Sequence, residues 1–285
     1  MTEEHIRALT VQGVSYTYRV LRQPAPTMEP VVVLGGVLES MYDWPHLEES
    51  ILSRTSMVTV DMPGLEPASF REARQGSIDL LVAGVEGIVA DLGAARVNFY
   101  GYSLGSAIAF RYAQRHPERV ARLLLGGVPV ELTHELVAQV GRAVDRARAG
   151  DEDGFADLVA DLLLCRDTSH HVHRRALTLA WLRRSLRNVI QTRRAIDLLE
   201  AALTCHTTLT GGLTGVPTVV FSGGHDHLHA PEKQRDLAAT IDGSQFVTFP
   251  DCDHMLPLER PEAVSSLVDS FLLNQRESQS VTPVS

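Results

Sequence analysis

The sequence predicts an α/β fold: a mostly parallel, eight-stranded sheet with helices on both faces and a block of helices inserted late in the chain. Three observations predict it. Short unbroken apolar runs end in glycine-rich turns, helix-like stretches alternate with those runs, and one long strandless segment interrupts an alternation that then resumes.

The elements follow in order. Residues 6–21, IRALTVQGVSYTYRVL, alternate around Gln12-Gly13 and read as a hairpin of two outer strands. PVVVLGG (30–36), MVTVDMPG (57–64), RVNFYGYS (96–103) and RVARLLLGG (119–127) are β-branched or apolar runs of the kind that suits strands buried on both faces. Between them lie helix-like stretches over 44–53, 77–92 and 104–115, the last stopped at His116-Pro117 because proline cannot continue a helix. Such βαβ units cross over right-handedly, which covers both sheet faces with helices.

From about 130 to 210 the chain is rich in Ala, Leu, Arg and Asp at helical spacing, as in DGFADLVADLLL and NVIQTRRAIDLLEAAL, and reads as about four helices. The βα rhythm returns with GVPTVVFSGG, APEKQRDLAATI, SQFVTFPD and RPEAVSSLVDSFLL. The domain reading is therefore a core over 1–129 and 211–275, a helical cap over 130–210, and a polar disordered tail over 276–285.

Composition narrows the function. The chain has 285 residues, 44% of them hydrophobic, and a net charge of −9 without a long basic run, so nucleic acid and anionic membrane surfaces have no electrostatic support as partners. Its three cysteines, Cys165, Cys205 and Cys252, are far apart and form no C-x-x-C pair. No secretory leader or long apolar span is evident, and the expectation is a cytoplasmic protein, monomer or homodimer, with a small-molecule substrate.

One hydroxyl stands out. In FYGYSLGSAIAF, Ser103 ends a strand and opens a helix, with Gly101 and Gly105 two positions away on either side. A sharp strand-to-helix turn strains its central residue and crowds its flanks, and glycines remove the crowding. Ser103 is thereby presented at the sheet's C-terminal edge, at a helix N-terminus that favours developing negative charge.

Together with VVVLGG, VTVDMPG, PTVVFSGGHD and DCDHMLPLERPE in order, GYSLGS makes the chain resemble the α/β-hydrolase family from Val31 to Leu273. The resemblance places the helical block where that family carries a cap. It implies a serine hydrolase without cofactor or metal.

A serine needs a base, and the base needs an orienting acid. His254 follows the strand QFVTF through the loop PDCD and falls at the same sheet edge as Ser103. Asp226 ends the preceding strand, and Ser103, Asp226, His254 is the chain order expected of this fold. Asp251 and Asp253 are too close to His254 along the chain to reach its far ring nitrogen, and Glu131 is a rarer site for the acid.

The Leu104 N–H, opening the helix, is one oxyanion donor. The resemblance makes Val37 N–H the second, with Gly36 as the alternative, and puts Gly35 where the family has histidine. Another departure is Glu66 in DMPGLEPAS, where the family often has a second glycine, and a loop with its own shape is expected there.

Gly35, Tyr42 and Tyr102 are the substrate-pocket candidates, and Trp44 and Met41 follow the same loop. His225, His227 and His229 alternate beside Asp226, and His170, His171 and His173 form a second group; these are expected to be solvated or substrate-facing rather than zinc ligands. Trp181 suits packing within the cap. Arg174, Arg175, Arg183, Arg184, Arg187, Arg193 and Arg194 of the cap suit wet helix faces paired with carboxylates, or an anionic carrier if they converge.

The reading is hydrolysis of a carboxylic ester or thioester, including a carrier-bound acyl thioester. The alternatives are C–C bond hydrolysis, lactone opening or acyl transfer on the same residues, and a non-catalytic receptor of the same fold.

Overall fold

The computed structural model describes residues 2–62, 78–131, 133–191 and 209–273. The loop containing Glu66, the last part of the cap and the tail lie outside the described residues.

The hairpin is strands β1 (Glu3–Val11) and β2 (Val14–Arg22), antiparallel and closed by Gln12 and Gly13 at φ 50° and 82°. Two successive positive φ values give the turn whose twist matches its flanking strands. Then come β3 (Val31–Leu34), α1 (Pro45–Leu52), β4 (Met57–Asp61), α2 (Ile78–Asp91), β5 (Val97–Tyr102), α3 (Leu104–Arg115) and β6 (Val120–Gly126). The cap contributes α4 (His134–Arg148), α5 (Glu152–Leu163) and α6 (Arg175–Gln191). The core resumes with β7 (Thr218–Gly223), α7 (Pro231–Ala238), β8 (Gln245–Phe249), α8 (Leu256–Glu259) and α9 (Pro261–Leu267), which a π-helical turn extends to Leu272.

The eight strands form one sheet in the order β1-β2-β4-β3-β5-β6-β7-β8, parallel from β4 onward, with β2 antiparallel to β4. Alternation along each strand divides the core in two. Val32 and Leu34 of β3 join the apolar layer under α2, α3 and α7, whereas Val31 and Val33 join the layer containing Trp44, Leu47 and Val264 under α1 and α9. Both faces are buried, which is why these strands read as continuous apolar runs.

The cap has its own apolar cluster, with Leu136, Val140, Phe155, Val159, Leu182 and Leu186 at its centre. Met255 belongs to that cluster, and Leu38, Leu228 and Leu258 pack against it. The cap is thus seated on the loops at the C-terminal edge of the sheet. Trp181 packs there too, as its sequence position suggests.

The turn between β5 and α3 brings backbone against backbone. A Cβ on Gly105 would lie 2.0 Å from Leu34 O and 2.7 Å from Gly35 O, and one on Gly101 would lie 2.7 Å from Gly105 O. These obstacles are backbone atoms and cannot rotate away. Gly105→Ala is expected to lower unfolding free energy by at least about 2 kcal/mol. Gly141→Ala, in α4 with nothing within 4 Å of the new methyl, should raise it by roughly 0.5–1 kcal/mol. Urea unfolding of the two variants checks both signs.

Candidate active site

Ser103 sits between β5 and α3 at φ 50°, ψ −123°, a left-handed conformation that a non-glycine residue adopts only under constraint. Its N–H donates to Gly126 O at 2.9 Å, and its carbonyl accepts from Ser106 N–H and Ser106 Oγ at 2.9 and 2.6 Å. Held at both ends, the residue turns its side chain away from the sheet. His254 Nε2 lies 3.2 Å from Ser103 Oγ, and His254 Nδ1 lies 2.9 Å from Asp226 Oδ2. The three residues drawn from distant parts of the chain form one hydrogen-bonded line.

His254 and Asp226 are both buried, at 2% exposure each. Burial disfavours both charged forms, but each is the other's partner: the Asp226 anion raises the imidazole pKa above its ordinary value, and the His254 cation holds the Asp226 carboxyl below its own. An ionised Asp226 accepts a hydrogen bond from Nδ1–H, which leaves Nε2 to accept from the Ser103 hydroxyl.

Asp226 Oδ1 also accepts from His229 N–H at 2.9 Å. Tyr102 OH donates to His254 O at 2.8 Å from below, and the His229 ring stands edge-on to the His254 ring at 5.1 Å. Gly127, at φ 55°, leaves the space that a Cβ 2.9 Å from His254 Cε1 would fill. Asp226, His229 and Gly127 thus pack around the imidazole, and Tyr102 holds its backbone.

The loop after β3 closes over the serine. A Cβ on Gly36 would lie 2.9 Å from Ser103 Cβ, so the Gly36–Val37 backbone is at the hydroxyl, opposite the first turn of α3 with Leu104. The Gly36 N–H, however, donates to Glu39 Oε2 at 2.5 Å. That bond engages the N–H that the alternative oxyanion donor, Gly36, would offer.

The pocket expectations are partly redirected. Tyr42 is 55% exposed with the Arg19 guanidinium 5.3 Å from its ring centre, so it faces solvent and not the serine. Tyr102 is fully buried and braces the histidine loop instead of lining a pocket. Gly35 packs against Trp44, whose ring leaves no room for a Cβ there. Asp251 pairs with Arg260, Asp253 accepts from the amides of Cys165 and Met255 at 3.0 Å, and Glu131 pairs with Lys233 at 3.3 Å, so none of the three competes with Asp226.

Two residues escaped sequence reasoning. Gln234 on α7 is fully buried; it donates to Ser222 Oγ and His229 O at 2.8 and 2.6 Å and accepts from Val128 N–H at 2.8 Å, joining the loops after β6 and β7. Nothing local marks it, since it is one polar residue in an amphipathic helix. Glu39 is the other. Burial pushes its carboxyl up to about 7, against the pull of His254 and the Gly36 bond, while Asp43 pushes the same way as burial. Its only local signal is the spacing of three residues from Gly36.

An anionic Glu39 raises the imidazole pKa of His254, as does Asp226. Glu39→Gln removes that anion, so the imidazolium should lose its proton at lower pH. The expected change is a downward shift of the imidazole pKa, smaller than the one that loss of Asp226 would cause. NMR titration of the His254 ring protons in the two proteins measures it.

Residues 29–261 match the family described as alpha/beta hydrolase fold. The chain is 27% identical over 256 residues to the pimeloyl-[acyl-carrier protein] methyl ester esterase of Nitrosomonas europaea, covering 85% of this chain and 94% of that protein. It is 25% identical over 259 residues to the pyrrolizixenacetamide deacetylase of Xenorhabdus hominickii, covering 86% and 91%. Its fold matches the crystal structure of MGS-M2, an alpha/beta hydrolase enzyme from a Medee basin deep-sea metagenome library, with a TM-score of 0.78 at 19% identity over 96% of this chain and 100% of that one.

Proposed function

The chain belongs to the alpha/beta hydrolase fold family, and from that premise we propose that it hydrolyses a carboxylic ester or thioester of a small to medium, mostly apolar acyl group through Ser103. The observation that carries the reading is the 3.2 and 2.9 Å line from Ser103 Oγ through His254 to Asp226, with Ser103 held at positive φ.

His254 Nε2 takes the Ser103 proton as Oγ attacks the carbonyl carbon, and Asp226 stabilises the imidazolium that results. The N–H groups of Val37 and Leu104 receive the oxyanion, each worth about 3–4 kcal/mol in such sites. Collapse of the tetrahedral intermediate breaks the bond to the leaving alcohol or thiol, which departs with the proton from His254. Water, deprotonated by His254, then attacks the acyl-enzyme and releases the carboxylic acid and free Ser103.

A cavity of about 230 Å³ lies under the cap between α4, α5 and the loops after β6 and β7, bounded by Val128, Leu136, Leu162, Leu228, His229 and Lys233. Ser103 is not in its wall. The cavity adjoins the histidine through His229, and the aliphatic part of its wall, Val128, Val130, Leu136, Leu162 and Leu228, suits an acyl substituent, while Glu131, Glu135, Arg166 and Lys233 make the rest of the wall polar. The relative that acts on a carrier-bound methyl ester supports an acyl chain delivered by a carrier protein as one form of the substrate.

The cap arginines give no described convergence toward such a carrier. Arg174 pairs with Glu262 and Arg183 with Asp157, and the side chains of Arg187, Arg193 and Arg194 lie outside the described part. Among the described residues no helix is long and apolar enough to cross a membrane, and the reaction is placed in the cytoplasm on the sequence reading.

A fluorophosphonate probe should label Ser103, and Ser103→Ala should lose at least about 10⁴-fold in kcat on a short-chain p-nitrophenyl ester. Asp226→Asn should lose a comparable factor by fixing the wrong tautomer. A Ser103→Ala variant with undiminished turnover would sink the reading. Leu136→Trp, which fills the cavity, should lower kcat/KM for octanoyl esters more than for acetyl esters. An equal loss on both would place the acyl chain elsewhere.

A further inference from the structure

The two histidine groups that the sequence sets about 50 residues apart meet in the fold. The connection between α5 and α6 carries Cys165 and His170, and the loop after β7 carries His225 directly before Asp226. Cys165 Sγ lies 3.9 Å from His170 Nδ1, and the His170 and His225 rings stack with centres 4.3 Å apart, tilted by 15°. One donor atom from each of the three lies within 4.8 Å of the others.

We propose that Cys165, His170 and His225 form a divalent-metal site, matched to Zn²⁺, that fastens the cap to the core beside Asp226. One thiolate and two imidazoles are the donors zinc prefers, and hard cations such as Mg²⁺ and Ca²⁺ prefer oxygen. A tetrahedral zinc with its usual bond lengths puts sulfur and nitrogen roughly 3.6 Å apart, close to the 3.9 Å between Cys165 Sγ and His170 Nδ1, and binding requires the two stacked rings to turn so that a nitrogen of each aims at the ion. On binding, the Cys165 thiol releases its proton to solvent as the sulfur–zinc bond forms, and both histidines coordinate as neutral rings.

The backbone is already in place for this. Cys165 N–H donates to Asp253 Oδ2 at 3.0 Å, its carbonyl accepts from Arg175 at 2.5 Å, and His225 N–H donates to Cys252 O at 2.8 Å. His170 N–H donates to Asp167 O at 3.2 Å. The Asp167 carboxylate stands beside the group: Oδ1 accepts from Ser169 N–H and Oγ at 2.9 and 2.6 Å, and Oδ2 is 3.8 Å from His170 Nδ1, which leaves the fourth position to water.

A second group, His171, His173 and Asp251, is less suited. It has no thiolate, and its carboxylate is paired with the Arg260 guanidinium, which repels a cation. The three-residue site with sulfur is therefore the one that carries the proposal, and it holds whatever the substrate.

Protein stripped with EDTA and desalted should bind one equivalent of Zn²⁺ per chain by calorimetry, and its melting temperature should rise with added Zn²⁺. Co²⁺ should give the visible bands of a tetrahedral site and a thiolate-to-cobalt charge-transfer band. Cys165→Ser should lose the charge-transfer band, and His170→Ala, at an exposed position, should lose stoichiometric Zn²⁺ binding while remaining folded. The proposal is overturned if the parent protein binds no more Zn²⁺ than His170→Ala, or if Co²⁺ produces no charge-transfer band.

Discussion

The close approach of the first turn of α3 to the end of β3 is the constraint on which the rest of the molecule depends. Gly105 brings the helix backbone against Leu34 and Gly35 with no room for a methyl group, and that contact fixes the angle at which the chain leaves β5. Ser103 takes up the angle as a left-handed conformation, which its hydrogen bonds to Gly126 and Ser106 hold in place. The strain is not dispersed along the chain; it sits at the one residue whose side chain must leave the sheet edge.

From that fixed point the remaining groups are located by long-range packing. The sheet order brings β7 and β8 to the same edge as β5, so that Asp226 and His254 arrive on neighbouring loops. Those loops are tied by Gln234, Tyr102 and the amides that hold Asp226 and Asp253. Electrostatics then favour one arrangement of protons: two buried groups that would each be costly as lone ions are stabilised as a pair. Glu39, partly buried, adds a second carboxyl whose charge acts on the same imidazole, and its bond to Gly36 shapes the loop that faces the serine.

The cap is joined to the core by contacts of two kinds. Met255, from the histidine loop, is buried in the cap's apolar cluster, where Leu38, Leu228 and Leu258 pack against it. Polar contacts follow the same seam: Cys165 N–H to Asp253, His173 N–H to Asp251 O at 2.8 Å, and His227 Nε2 to Asp161 O at 3.0 Å. The histidines flanking Asp226 therefore serve the cap interface, each with a different partner, which no alternation in the sequence could announce.

The sequence by itself determined the strands, most helix boundaries within a residue or two, the hairpin turn and the serine's position between strand and helix. These depend on local periodicity, on proline and glycine stereochemistry, and on burial of both sheet faces, all of which are written in neighbouring residues. The tertiary structure alone decided that Tyr42 faces solvent, that Gly36 N–H is taken by Glu39, that Gln234 knits two loops, and that Cys165 meets His170 and His225. Each of these depends on which side chain reaches a given point in space, and that is set by how separate elements pack, not by the residues beside it in the chain.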